Sequence, residues 1–255
     1  MSERTIVLKF GGSVLRSRDD LPIVAGEIER FLGLGHRVVA VVSAFEGTTD
    51  ALAEEARAIQ EEPEDSAFAY LLATGEFTSA ALLSLTLSAR GVRSPVLGPH
   101  VIGLRTKGSG ADSNPASVDA WTLTRALDAS RAVVVPGFVG VGPAREHTLL
   151  GRGGSDLSAL FIASQLGARC RLVKDVAGLY ERDPAATGPR PGRYRTLGWG
   201  EALGLDGRIV QHKAVRFAQR ERLAFEVGAI GRDDVTTVAE HAKSYYTGDR
   251  EVACA

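Results

Sequence analysis

The run Ile6-Val7-Leu8-Lys9-Phe10-Gly11-Gly12-Ser13 decides the fold. A short apolar stretch stops at a glycine pair, the pattern of a buried strand that closes in a tight turn. The same pattern returns further along. Arg37 to Ser43 holds Val38-Val39-Ala40-Val41-Val42. Ala132-Val133-Val134-Val135-Pro136 runs into Gly137, and Cys170 to Val173 runs into Lys174-Asp175. Strands that are apolar throughout, rather than at alternate positions, belong in a parallel sheet covered on both faces.

Helical patterns fill the intervals. Asp19 to Leu32 places Ile23, Val24, Ile28 and Phe31 on one side, and Asp50 to Gln60 is rich in alanine and glutamate and ends before Pro63. Ser66 to Arg90 reads as a long helix interrupted at Gly75-Glu76. Val118 to Ala129, the stretch from Asp156 through Leu157, Leu160, Phe161 and Leu166, and Gly207 to Arg220 are helical as well. Val92 to Leu97 and Ala224 to Val227 are candidate strands. Arg105 to Pro115 is a loop or short hairpin, Ala185 to Thr196 is an exposed loop, and the residues from Asp233 form a closing strand or helix. This alternation predicts an α/β fold: a three-layer helix-sheet-helix sandwich around a central, mostly parallel sheet. No repeat, low-complexity segment or linker divides it, so residues 1–255 read as a single catalytic-sized domain.

Composition narrows the function. Of 255 residues 44 % are hydrophobic, and 30 basic side chains balance 31 acidic ones for a formal charge of -1. A strongly basic nucleic-acid-binding surface is excluded by that balance. No apolar run reaches the roughly 18 residues of a membrane span, and the first ten residues lack a secretory pattern, so a cytoplasmic protein without a membrane partner is expected. Cys170 and Cys254 are too few for a disulfide framework, and no Cys/His spacing matches a zinc site. Five of the 30 basic residues are lysines: Lys9, Lys107, Lys174, Lys213 and Lys243. Lysine's compact ammonium is not interchangeable with arginine's planar fork, which draws attention to the two lysines at strand ends.

Three segments share the sequence strand, glycine, helix: Lys9 to Ser13, Gly151-Arg152-Gly153-Gly154-Ser155-Asp156, and Lys174 to Gly178. In an open α/β sheet the crevice lies beyond the carboxyl ends of the strands, where all three would meet. Glycines let backbone N–H groups approach a ligand, and helix N-termini favour anions. Two lysines from different strands would then flank a phosphate, an arrangement suited to phosphoryl transfer. A plain helix cap, with Ser155 or Asp156 accepting backbone N–H groups, is the other reading of the Gly151 segment. The chain has no Gly-x-x-x-x-Gly-Lys-Ser/Thr loop, and no Gly-x-Gly-x-x-Gly after its first strand, which argues against a P-loop enzyme and a dinucleotide-dependent dehydrogenase.

These segments resemble the amino acid kinase family, and within it the catalytic domain of the aspartate kinases. Val7 to Val14 is similar to the family's phosphate-binding strand and loop, and Val41-Val42-Ser43-Ala44 through Gly47 and Thr49 to a second loop that helps hold aspartate. Ala73-Thr74-Gly75-Glu76 with Ser79, the Gly151 to Asp156 loop, and Lys174 to Tyr180 followed by Asp183-Pro184 complete the likeness. The resemblance implies ATP-dependent phosphorylation of a side-chain carboxylate, L-aspartate giving 4-phospho-L-aspartate. The alternative is another small amino acid, carboxylic acid or phosphorylated metabolite as acceptor. It assigns catalytic roles to Lys9, Asp156 and Lys174. Lys9, Gly11, Gly12, Ser13, Lys174, Asp175, Gly178, Tyr180, Asp183, Pro184 and Lys213 would bind the nucleotide. Ser43, Thr49, Glu76, Arg152, Gly153 and Ser155 would hold the acceptor, Arg152 gripping its α-carboxylate and Glu76 its ammonium. ATP and Mg2+ are the implied cofactors, with no protein side chains assigned as metal ligands, and a homodimer is among the family's habits. The chain departs from aspartate kinases in three places: Val14 follows Ser13 directly, Lys174 and Ala177 replace a threonine and an aspartate, and Gln211-His212-Lys213 stands where Leu-His-Pro is usual. Too few residues follow Arg232 to form the ACT regulatory modules of that family.

Overall fold

The computed structural model describes residues 4–108, 110–187, 191–205, 207, 209–240 and 243–246. In chain order, β1 (Thr5–Phe10), α1 (Leu21–Gly33) and β2 (Arg37–Val42) form the first βαβ unit of the α/β pattern, followed by α2 (Thr48–Ile59) and α3 (Asp65–Ala89). A short hairpin, β3 (Arg105–Lys107) and β4 (Asn114–Ser117), precedes α4 (Ala120–Ser130) and β5 (Ala132–Pro136). A second hairpin, β6 (Val139–Val141) and β7 (His147–Leu149), leads to α5 (Gly154–Leu166) and β8 (Arg169–Lys174). The rest of the described chain supplies β9 (Tyr194–Gly198), α6 (Trp199–Leu203), α7 (His212–Arg220), β10 (Phe225–Ala229), β11 (Thr236–Ala239) and β12 (Ser244–Tyr245).

The main sheet has the order β12-β9-β11-β10-β8-β1-β2-β5, with β1 at its centre pairing in parallel with β2 and β8. Antiparallel pairing is confined to β10 with β11 and β9 with β12. Strand alternation sorts the side chains into two cores. Ile6, Leu8 and Phe10 face α1 and α3 with Val38, Ala40 and Val42. Val7, Val39, Val41, Val133 and Val135 face the layer of α4, α5, α6 and α7. The result is the three-layer sandwich expected from the strand and helix alternation. The hairpins β3–β4 and β6–β7 join in a second sheet, of order β4-β3-β6-β7.

Four local expectations need correction. α3 runs without interruption through Gly75-Glu76: a Cβ on Gly75 would stand 2.9 Å from the Ala44 methyl, so this glycine lets helix and loop touch rather than breaking the helix. Val92 to Leu97 does not form a strand; it contributes one bridge, Val96 to Val134, beside Pro95, which has no N–H to offer a ladder. The end of the predicted 185–196 loop is β9, because β11 and β12 arrive from the far end of the chain to pair with it. The helix expected from Gly207 begins at His212, after Gln211, while residues 206 and 208 lie outside the described residues. By length and hydropathy alone α3 would also pass for a membrane span, contrary to the apolar-run count. Here it packs against α1, α2 and β5 and buries Glu76 and Ser79.

Candidate active site

Alternation along β1 turns Lys9 to the same side as Val7, toward α5. Alternation along β8 turns Lys174 to the same side as Cys170 and Leu172. The two strands are neighbours, so both ammonium groups emerge at one sheet edge, beside the first turn of α5. Asp156 stands in that turn. Its Oδ1 lies 2.7 Å from Lys9 Nζ and its Oδ2 3.0 Å from Lys174 Nζ. All three side chains are buried. Burial disfavours the charge on Lys9 and, despite Asp156, lowers its pKa to about 8, with Lys174 pushing the same way. Burial works to raise Asp156, but the two lysines outweigh it and hold the carboxyl below its usual range. Two ammonium groups against one carboxylate leave surplus positive charge in a dry crevice.

The glycine runs shape this crevice. At Gly11 a Cβ would sit 2.5 Å from Lys9 Nζ, so a side chain there would push that ammonium off its place across the loop. Gly11→Ala is therefore expected to lower kcat about 100-fold, the size of one lost preorganised donor, while a thermal melt stays close to wild type. At the other loop, Gly153 has φ 75°, and a Cβ there would strike Gln211. No side chain caps α5, which rules out the plain cap reading: Ser155 Oγ is 2.7 Å from Ser43 Oγ, and Asp156 is committed to the lysines.

A cavity of about 570 Å³ opens from the lysines. Lys9, Gly11, Gly12, Ser13, Gly153, Asp156 and Lys174 line its inner end, and Asp175, Tyr180, Asp183 and Pro184 its wall. Leu179, Leu205, Ile209 and Gln211 also line it and were not assigned to the site from the sequence, Ile209 and Gln211 falling in a stretch that reads as helix. Gly178 lies outside the lining: a Cβ there would strike Thr236, so it serves backbone packing. Lys213 is also outside. Its Nζ donates to Asp112 Oδ1 at 2.6 Å, Ser113 O at 3.0 Å and Leu150 O at 2.8 Å, away from the position expected of a nucleotide ligand. Asp112, exposed in the loop before β4, is its ion-pair partner.

Of the remaining residues, Glu76 stands near Lys9, and Ser43 meets Ser155. Glu76 is 2 % exposed; its Oε1 accepts a hydrogen bond from Ala44 N at 3.3 Å, and its Oε2 has no partner. Burial raises its pKa to about 7, although Ala44 N–H and the Lys9 charge oppose that. Ser79 Oγ donates to Ser43 O at 2.6 Å, tying α3 to the end of β2. Thr49 stands half-buried in the first turn of α2. Arg152 is exposed at the crest of its loop, between two glycines of positive φ, and has no hydrogen-bond or ion-pair partner among the described residues.

The sequence profile of the amino acid kinase family matches residues 4–224. The chain belongs to this family. An aspartokinase of Thermus thermophilus is 34 % identical over 226 residues, which is 87 % of this chain and 56 % of that protein. Among solved structures, aspartate kinase from Synechocystis superposes with a TM-score of 0.79 at 30 % identity, over 93 % of this chain and 40 % of that one. UMP kinase from Bacillus anthracis, at 15 % identity and a TM-score of 0.67, shares the amino acid kinase fold over 95 % of this chain and 98 % of its own. The chain spans about half the length of the curated aspartokinases it matches.

Proposed function

We propose that the chain transfers the γ-phosphoryl group of ATP to the side-chain carboxylate of L-aspartate, giving 4-phospho-L-aspartate and ADP. The observation that carries this reading is the buried Lys9–Asp156–Lys174 cluster at the inner end of a cavity large enough for a nucleotide, with the buried Glu76 carboxyl near Lys9. A carboxylate acceptor is already ionised at pH 7 and needs no general base. The protein's task is then positioning and charge stabilisation. Lys9 and Lys174 face the γ-phosphate, and the backbone of Gly11 and Gly12 meets the same group. An acceptor oxygen attacks phosphorus as the bond to the β,γ-bridging oxygen breaks, and the charge gathering on the equatorial oxygens is met by the two ammonium groups. Asp156 holds both lysines in place throughout.

On the acceptor side, the unpartnered Oε2 of Glu76 suits an α-ammonium, and the free guanidinium of Arg152 suits a carboxylate. Ser43, Ser155 and Thr49 offer hydroxyls. Leu179, Tyr180, Leu205 and Ile209 give the far end of the cavity an apolar wall for a base. No group of three or more His, Cys, Asp or Glu side chains among the described residues could hold a metal ion. Mg2+ would be carried mainly by phosphate oxygens, with Asp175 and Asp183 the carboxylates of the cavity wall. When bound, Mg2+ neutralises part of the triphosphate charge.

Coupled measurement of ADP release against L-aspartate, other small acids, carbamate and UMP tests the acceptor. Trapping the acyl phosphate with hydroxylamine tests the product. Aspartyl hydroxamate is the expected result; turnover of another acceptor with none of aspartate refutes the assignment. The pH profile follows from two groups. Glu76, with a pKa near 7, must be ionised to hold an ammonium, so kcat/KM for aspartate is expected to fall about tenfold per unit well below pH 7. Lys9, with a pKa near 8, must be protonated, so kcat/KM for ATP is expected to fall above pH 8. Steady-state kinetics from pH 5.5 to 9.5, each with the other substrate saturating, checks both limbs.

A further inference from the structure

An ammonium group has three protons to donate, and at Lys213 three acceptors take them: Asp112 Oδ1, Ser113 O and Leu150 O. These acceptors belong to two segments that the backbone has already joined, since Ser113 N donates to Leu149 O and Asp112 bridges Leu150. Leu150 is the residue before the glycine loop that carries Arg152. Asp112 lies directly over Gly151, where a Cβ would strike its carboxylate. Two residues before Lys213, Gln211 lines the nucleotide cavity and packs on Gly153 of that same loop. The first turn of α7 therefore touches the loop at both ends, through Gln211 at Gly153 and through Lys213 at Leu150.

We propose that Lys213 is a positioning residue that couples the two sites: it clasps the acceptor loop to α7, so that a nucleotide seated against Gln211 sets the loop that presents Arg152. This rests on the reading of the cleft as a nucleotide site beside an acid site. With its three protons committed, Lys213 is not poised to meet a phosphate, and it acts through the loop. Binding of each ligand then favours the other, and by linkage the effect is reciprocal.

Calorimetric titration tests this with a β,γ-methylene ATP analogue and MgCl2, and with L-aspartate, each alone and in the presence of the other. Wild type is expected to bind aspartate about fivefold or more tightly when the analogue is present. In Lys213→Met that factor is expected to fall to within about twofold of unity, with affinity for the analogue alone changed less than about twofold. Asp112→Asn leaves the two carbonyl acceptors in place, guards against a folding defect, and is expected to lower the factor as well. An unchanged factor in Lys213→Met overturns the proposal. So does a loss of analogue affinity above about tenfold, which would make Lys213 a nucleotide ligand. Wild type that binds both ligands with no mutual effect defeats the coupling and leaves the functional reading standing. Wild type that binds neither defeats that reading itself.

Discussion

Asp156→Asn is expected to lower kcat about a thousandfold and the melting temperature by about 10 °C at pH 7. The carboxylate receives Lys9 at 2.7 Å and Lys174 at 3.0 Å, all three buried. An amide of the same shape leaves two ammonium groups facing each other without a counter-charge. Removing one partner of a buried ion pair costs about 3–5 kcal/mol, and each kcal/mol moves Tm by about 2–4 °C in a chain of this size. Lys9 escapes this repulsion by losing its proton, so its pKa falls further and the stability deficit shrinks at alkaline pH. Thermal melts of both proteins at pH 7 and 9.5, with steady-state rates at pH 7, measure both effects. A kcat within tenfold of wild type would remove Asp156 from the catalytic arrangement.

Lys9→Met should separate catalysis from stability. Loss of one of the two cations proposed to meet the γ-phosphate is expected to lower kcat about a thousandfold, near the upper range for one electrostatic contact. The fold should survive, because Lys174 still pairs with Asp156 and a buried charge that is disfavoured has been removed. The native pKa of about 8 lies below the unfolded value near 10.5. Between these values the unfolded chain binds more protons, so this group makes wild type gain stability as pH rises from about 8 to 10.5, a gain that Lys9→Met should lack. Lys9→Arg is not expected to restore the rate, since a broad planar fork does not reproduce the compact ammonium that lies against Gly11 and Asp156. Single-turnover rates together with urea melts at pH 7.5 and 9.5 decide the matter; a kcat within tenfold of wild type in Lys9→Met would contradict the role given to Lys9.

The catalytic end of the sheet was legible because its signals are local. An apolar run followed by glycine announces a strand end, and alternation then states which face Lys9 and Lys174 take. That Asp156 meets both lysines is not local: it depends on β1 and β8 becoming neighbours, which follows from the family resemblance and not from spacing. The misreadings share one cause. Gly75 looks like a break until Ala44 is seen against it, and 194–198 looks like loop until β11 and β12 arrive. Lys213 is the same kind of case, since nothing near it in sequence reveals Asp112, about a hundred residues away, as its partner. Two of the five lysines nonetheless meet on one carboxylate at the cavity, and a third ties down the loop that carries Arg152.

α5 has no wet side. Leu157 through Ala163 are all buried, and past them the helix meets solvent in its last turn, at Ser164 and Gln165, the end opposite Asp156. A rod sealed in this way cannot slide or turn without dragging the sheet with it. Asp156 is therefore an anchor point for the molecule, and accommodation of substrates of different size falls to the outer walls. A change of acceptor within this architecture would come from redrawing those walls, while the anchor and its two lysines stay where they are.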